Sequence, residues 1–191
     1  MFNNDEWLEQ VSETVIEPER DIVDPHHHLW PQTSMGYNIN ELLADTSDGH
    51  AVSQTVFMEC GAAYRKEGPD FLRCVGETAF VAQAASIARA QKAPTQIAGI
   101  VAHADLCLAQ LDDVLDAHEE AAEGLFRGIR HAGASAGDIE GLAIPGGSDR
   151  NLMSNEAFRA GVARLGERGL TYDSWLYPVS YTHLTLPTIL S

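Results

Sequence analysis

The sequence predicts an α/β protein whose strands lie parallel in one sheet, in the pattern of a (β/α)8 TIM barrel truncated after about five strands. Three observations carry that expectation. Short apolar runs alternate with longer stretches of helical periodicity, as repeated βα units require. Five such runs follow one another along 191 residues, a length that suits one domain with a substantial core. Eight units would close a barrel of roughly 250 residues, so the pattern stops early.

The first strand is expected over 21–26 (DIVDPH), the second over 54–59 (QTVFME) and the third over 97–102 (IAGIVA). The fourth falls over 126–130 (FRGIR) and the fifth over 170–176 (LTYDSWL). Between them, 69–90 reads as a helix in which Phe71, Val75, Ala79, Ala82 and Ala85 return at three- and four-residue steps. Pro69 suits its first position and Pro94 closes the region after it. A second helix, 109–122, carries Leu111, Val114, Leu115 and His118 on one side, with Asp112, Asp113 and Glu119 elsewhere. A third, 156–167, has Ser154 as its expected N-cap and Gly169 just past its end. The Gly-rich stretch 133–150 follows the fourth strand, on the side where barrel enzymes build their sites.

Domain boundaries follow: an N-terminal extension over 1–20, a partial barrel over 21–178, and a non-native tail over 179–191. The tail, VSYTHLTLPTILS, lacks the helix that should pack a fifth strand, and ten codons for Val179 to Thr188 can be written that spell sequencing-adapter DNA. In that reading the natural sequence ends near Pro178, and His183 has no role.

Composition excludes several classes of function. The 12 basic and 28 acidic residues give a formal net charge of −16, a field that repels nucleic acid and anionic membrane surfaces. An anionic small substrate stays compatible, because one arginine in a pocket outweighs distant, screened charges. No apolar run is long enough for a bilayer and no secretory leader is evident, so a cytoplasmic protein is expected. Cys60, Cys74 and Cys107 show no CxxC spacing and are expected as reduced thiols.

The chemistry concentrates in IVDPHHHLW, residues 22–30. Alternate residues of a strand share a face, so His26 and His28 project together and His27 projects oppositely. Two imidazoles on one face can hold a divalent ion such as zinc once further ligands join them. The same histidines could instead be satisfied by hydrogen bonds at a strand end.

The blocks IVDPHHHLW, TVFMECGAAYRKEGP, VGETAFVAQAA, FRGIRHA and YDSWLYP, in that order, resemble the amidohydrolase-related family, especially its dicarboxylate and sugar lactonase branch. The resemblance covers about 21–178 and implies a TIM barrel whose metal, zinc or another divalent ion, is bound by His26 and His28. Some lactonases of the branch work without a metal. It also implies a further histidine from the sixth strand and a general-base aspartate from the eighth, both expected beyond Pro178. The expected substrate is a small carbonyl compound, a lactone in the leading reading, attacked by water. A decarboxylase of the same superfamily is the first alternative. A non-enzymatic half-barrel that at most binds a metal is the second, and its open sheet edges predict either poor solubility or self-association, with a homo-oligomer as one outcome.

Substrate contacts are expected from Arg130, His131, Glu59 and Asp173. A guanidinium at 130 could clamp a carboxylate or brace a neighbouring acid. Glu59 could face the pocket or brace Arg130. His131 could orient a carbonyl or fill space. Asp173, Trp175 and Tyr177 alternate onto one face of the fifth strand, whereas Glu77 lies on an outer helix and is expected to support structure.

Overall fold

The computed structural model describes residues 7, 10–11, 13–135 and 151–176. Five parallel strands form one sheet in the order β1-β2-β3-β4-β5, each beside its successor in sequence. They are β1 (Asp21–His27), β2 (Ala51–Met58), β3 (Gln96–Ala102), β4 (Phe126–Arg130) and β5 (Thr171–Asp173). The sheet curls into half of a barrel, as the sequence pattern predicts. The helices α1 (Ile39–Asp45), α2 (Val75–Ala90), α3 (Leu111–Ala121) and α4 (Glu156–Glu167) occupy the four connections. No helix among the described residues is long and apolar enough to cross a membrane.

Residues paired across parallel strands project to the same side, so the register sorts the two faces. One row runs His27, Phe57, Ile100 by pairing, and another runs Ala102, Ile129, Tyr172. These face the helices, where Phe57, Ile100 and Ile129 are wholly buried with Val75, Val81, Val114 and Leu115. Met58, Val101, Gly128 and Thr171 form the row on the concave side, with Arg130 beside Asp173 at its upper end. Gly128 is required there: a Cβ would stand 2.2 Å from Thr171 Oγ1.

The helices refine the expectations. A 3-10 turn, Asp70–Leu72, precedes α2, so Pro69 caps that turn rather than opening the helix. Ala79 is exposed; the buried stripe runs through Val75, Thr78, Val81, Ala82, Ala85 and Ala88. Asn155, not Ser154, caps α4, its side-chain oxygen accepting from the Ala157 and Phe158 amides at 2.9 and 3.4 Å. Gly169 ends that helix at φ 70°, with the Leu170 amide donating to the Leu165 carbonyl and Gly169 to Gly166. The short α1 was not expected; Asn38 and Glu41 close a reciprocal capping box at its start. The strand expected over 170–176 stops at Asp173, so strand alternation does not govern Trp175. Tyr177, His183, the tail over 179–191 and the loop segment 136–150 lie outside the described residues.

Candidate metal and substrate site

The carboxyl ends of the strands meet at one rim, where β1 delivers its histidines through a local break in pairing. Pro25 has no amide proton to give, and the register to β2 steps from Asp24–Thr55 to His27–Phe57. The Asp24 carboxylate takes over, accepting the His26 amide at 3.0 Å. His26 and His28 then turn their rings together, with Nε2 to Nε2 at 3.2 Å and ring planes at 89°. His27 goes to the helix side, against Phe57 at 5.8 Å. The expected alternation of the triplet is therefore present.

The protonation of the pair follows from its partners. His28 Nδ1 lies 2.7 Å from the Met58 carbonyl, which can only accept, so Nδ1 carries a proton and Nε2 is the atom turned to His26 Nε2. For His26, burial lowers the pKa first, reinforced by His28 and Arg130 against the opposing fields of Asp24 and Asp173. The shift favours the neutral form of the His26 ring, the form that ligates metals.

The donors fit a divalent ion. Two nitrogens each about 2.0–2.1 Å from a tetrahedral zinc stand roughly 3.3 Å apart, close to the 3.2 Å between the two Nε2 atoms. The Nδ1 contact to a backbone carbonyl is the usual outer support of a metal-binding histidine. Among the described residues, no group of three or more His, Cys, Asp or Glu side chains converges as a metal site. The pair offers two nitrogen donors.

Arg130 and Glu59 meet directly. The arginine Nε donates to Glu59 Oε1 at 2.8 Å and its Nη2 donates to the Glu59 carbonyl, with both side chains about one-seventh exposed. This is the bracing arrangement, and it engages two of the five guanidinium donors. Asp173 sits beside Arg130 in the register, close enough for its charge to act on His26. Asp173, Arg130 and His26 therefore face one concavity. His131 does not join them: its Nδ1 accepts the Leu106 amide at 3.1 Å and its ring packs on Phe158 of α4 at 5.5 Å. Burial lowers its pKa, and the nearby Asp105 opposes the shift.

Other side chains lock the rim. His103 Nδ1 donates to the Arg130 carbonyl at 3.2 Å, and the Tyr172 hydroxyl donates to the His131 carbonyl at 2.9 Å. His118, wholly buried on α3, donates from Nε2 to the His103 carbonyl at 3.0 Å, which leaves Nδ1 to accept from Thr78 Oγ1 at 2.8 Å. Burial lowers the His118 pKa to about 4. In the sequence, the place of His118 on the apolar side of helix 109–122, with Leu111, Val114 and Leu115, is the local signal for this packing. A cleft of about 520 Å³ lined by Glu13, Glu17, Arg20 and His50 lies at the opposite, amino-terminal end of the strands.

Comparison with known proteins adds the rest of the context. No protein-family model and no curated relative matches the sequence. Two solved structures do match, both of an amidohydrolase from Burkholderia multivorans. The one with bound zinc is 19% identical, with a TM-score of 0.55 over 88% of this chain and 53% of that chain. The one with bound HEPES is also 19% identical, with a TM-score of 0.54 over 85% and 51%. The likeness shows a shared fold. The chain spans about half the length of the amidohydrolase structures it matches, which accords with five strands of an eight-stranded barrel.

Proposed function

We propose that the chain carries the first half of a metal-dependent hydrolase of the amidohydrolase-related family, lactonase-like branch, acting on a small carbonyl substrate such as a lactone. The single observation behind this reading is the His26–His28 pair, its Nε2 atoms 3.2 Å apart at the carboxyl end of β1. A neighbour of the same fold crystallised with zinc supports it. His26 and His28 would hold the ion, which when bound lowers the pKa of a water and polarises a carbonyl.

The chain's own residues arrange that site. Asp24 holds the His26 amide, and Met58 sets the His28 tautomer. The three donors that Arg130 keeps free of Glu59 suit a substrate carboxylate, with Asp173 and Glu59 bounding the same concavity. His131, turned to the Leu106 amide and Phe158, supports the rim from outside the concavity rather than contacting substrate. The general base is expected beyond Pro178.

A second reading, a half-barrel that binds metal without turnover, is favoured by the count of two ligands among the described residues. Zinc titration of the chain beside His26→Ala/His28→Ala tests both readings. Zinc bound by the chain and lost in the double variant supports the site; no zinc with either removes it. Acid release from lactones by the chain then separates turnover from binding, and carbon dioxide release from a carboxylate substrate would mark a decarboxylase instead.

A further inference from the structure

We infer that Glu77 is a positioning residue for His28: its buried carboxylate holds the loop after β2 so that the Met58 carbonyl meets the His28 Nδ1–H and leaves Nε2 facing His26. The inference rests on the proposed metal reading only for its zinc readout. Glu77 stands in the first turn of α2, 2% exposed. One of its oxygens, Oε1, accepts from the Ala62 amide at 2.6 Å, the Cys60 amide at 3.2 Å and the Cys60 thiol at 3.5 Å. This buried carboxylate, on the helix that follows, has all three of these donors in one short loop.

That loop is short and tightly seated. Residues 60–62 begin two positions after Met58, whose carbonyl fixes His28. Gly61 and Ala63 adopt φ 75° and 55°, a path that costs free energy for alanine unless its surroundings impose it. Gly76 shows how close the helix comes: a Cβ there would stand 2.5 Å from the Ala63 carbonyl and 2.7 Å from the Arg65 amide. The Cys60 sulfur also lies 3.6 Å from the Leu29 carbonyl, directly after His28. Glu77 thus grips the loop after β2 by the Cys60 and Ala62 amides, which leaves the single Cys60 S–H able to turn to the Leu29 carbonyl just after β1.

The test uses the full chain at pH 7.5, with long-range proton–nitrogen spectra of the histidine rings and a competitive zinc titration. The His28 signals are assigned by their loss in His28→Ala. In the wild type, His28 is expected as the Nδ1–H tautomer. Glu77→Gln keeps an oxygen for the same three donors and is expected to keep that tautomer. Glu77→Leu is expected to give mixed tautomers and to weaken zinc binding by about 10- to 100-fold, as loss of an outer support does. A folded Glu77→Leu with the wild-type tautomer overturns the inference, whatever its melting temperature. Should Glu77→Leu not fold, Glu77→Asp takes its place, its carboxylate drawn back by one methylene; an unchanged His28 tautomer there overturns the inference equally. If the wild type binds no zinc, the metal reading falls, and the tautomer alone decides the role of Glu77.

Discussion

Arg130 on β4 and Glu59, directly after β2, are joined across β3 by two contacts, one to the carboxylate and one to the backbone carbonyl of the same glutamate. The second contact makes the guanidinium a geometric part of the rim rather than a charge alone. Arg130→Ala strands a largely buried carboxylate. Because the pair is about one-seventh exposed, we expect a loss of about 2–3 kcal/mol, below the 3–5 kcal/mol of fully buried pairs. Arg130→Lys should recover only part of it, since a single ammonium cannot reproduce the fork. Urea denaturation midpoints check this; a stability unchanged in Arg130→Ala would leave substrate binding as the role of that side chain.

Two buried groups should shape the pH dependence in opposite senses. Burial raises Glu77 from 4.5 to about 7, so its contribution to stability is fully present below pH 4.5 and is lost as pH rises through 7. Burial lowers His118 from 6.5 to about 4, so its contribution is present above pH 6.5 and is lost as pH falls through 4. Each span corresponds to on the order of 3 kcal/mol. The stability of the wild type relative to Glu77→Gln should therefore fall between pH 4.5 and 7. Relative to His118→Gln it should fall between pH 6.5 and 4. Thermal melts across this range read both, and a flat difference for either variant would show that its group titrates as it does in the unfolded chain.

The outer layer has its own clamp. Arg168, just after α4, donates to Asp112, Asp116 and Glu119 of α3 at 3.3, 2.5 and 3.1 Å. The acids are more than half exposed, so solvent screens each pair and the network contributes about 1 kcal/mol rather than a sum of three full bonds. Arg168→Ala should lower the melting temperature at 20 mM salt, and the deficit should shrink at 0.5 M as the three carboxylates are screened from one another. A deficit independent of salt would assign the effect to lost packing of the arginine stem.

How far this architecture was legible depended on the range of the interactions. Phe126–Arg130 and Glu156–Glu167 match their expected bounds, because alternation and a capped amphipathic stripe are local. The seven residues of α1 are too few to show periodicity, although Asn38 followed by Glu41 is a local signal for its start. Glu59 and Arg130 were both visible as candidates, and the bracing between them was one of two readings. Their pairing spans 71 positions, and only the fold decides it. Likewise, nothing local tells that Glu77, in an otherwise apolar stretch, accepts from the loop after β2, except that an acid at a buried helical phase needs donors.

His27 offers a separation of stability from the site. Its ring is 7% exposed on the helix side of β1, and neither nitrogen has a hydrogen-bond partner among the described residues. Burial lowers its pKa to about 4, so it is neutral at pH 7 and carries two unpaired polar atoms into an apolar layer beside Phe57. Desolvating such atoms without compensation costs about 1–3 kcal/mol. Leucine fills similar space without that cost, so His27→Leu should stabilise the fold by about 1 kcal/mol once imperfect packing is allowed for. Because His26 and His28 project to the other face, zinc affinity should stay within about twofold. Chemical denaturation and zinc titration of the same variant check the two halves. A stable variant that loses zinc would mean that His27 sets the path of β1 through the pair. A destabilised one would mean that a bound water satisfies its ring in solution.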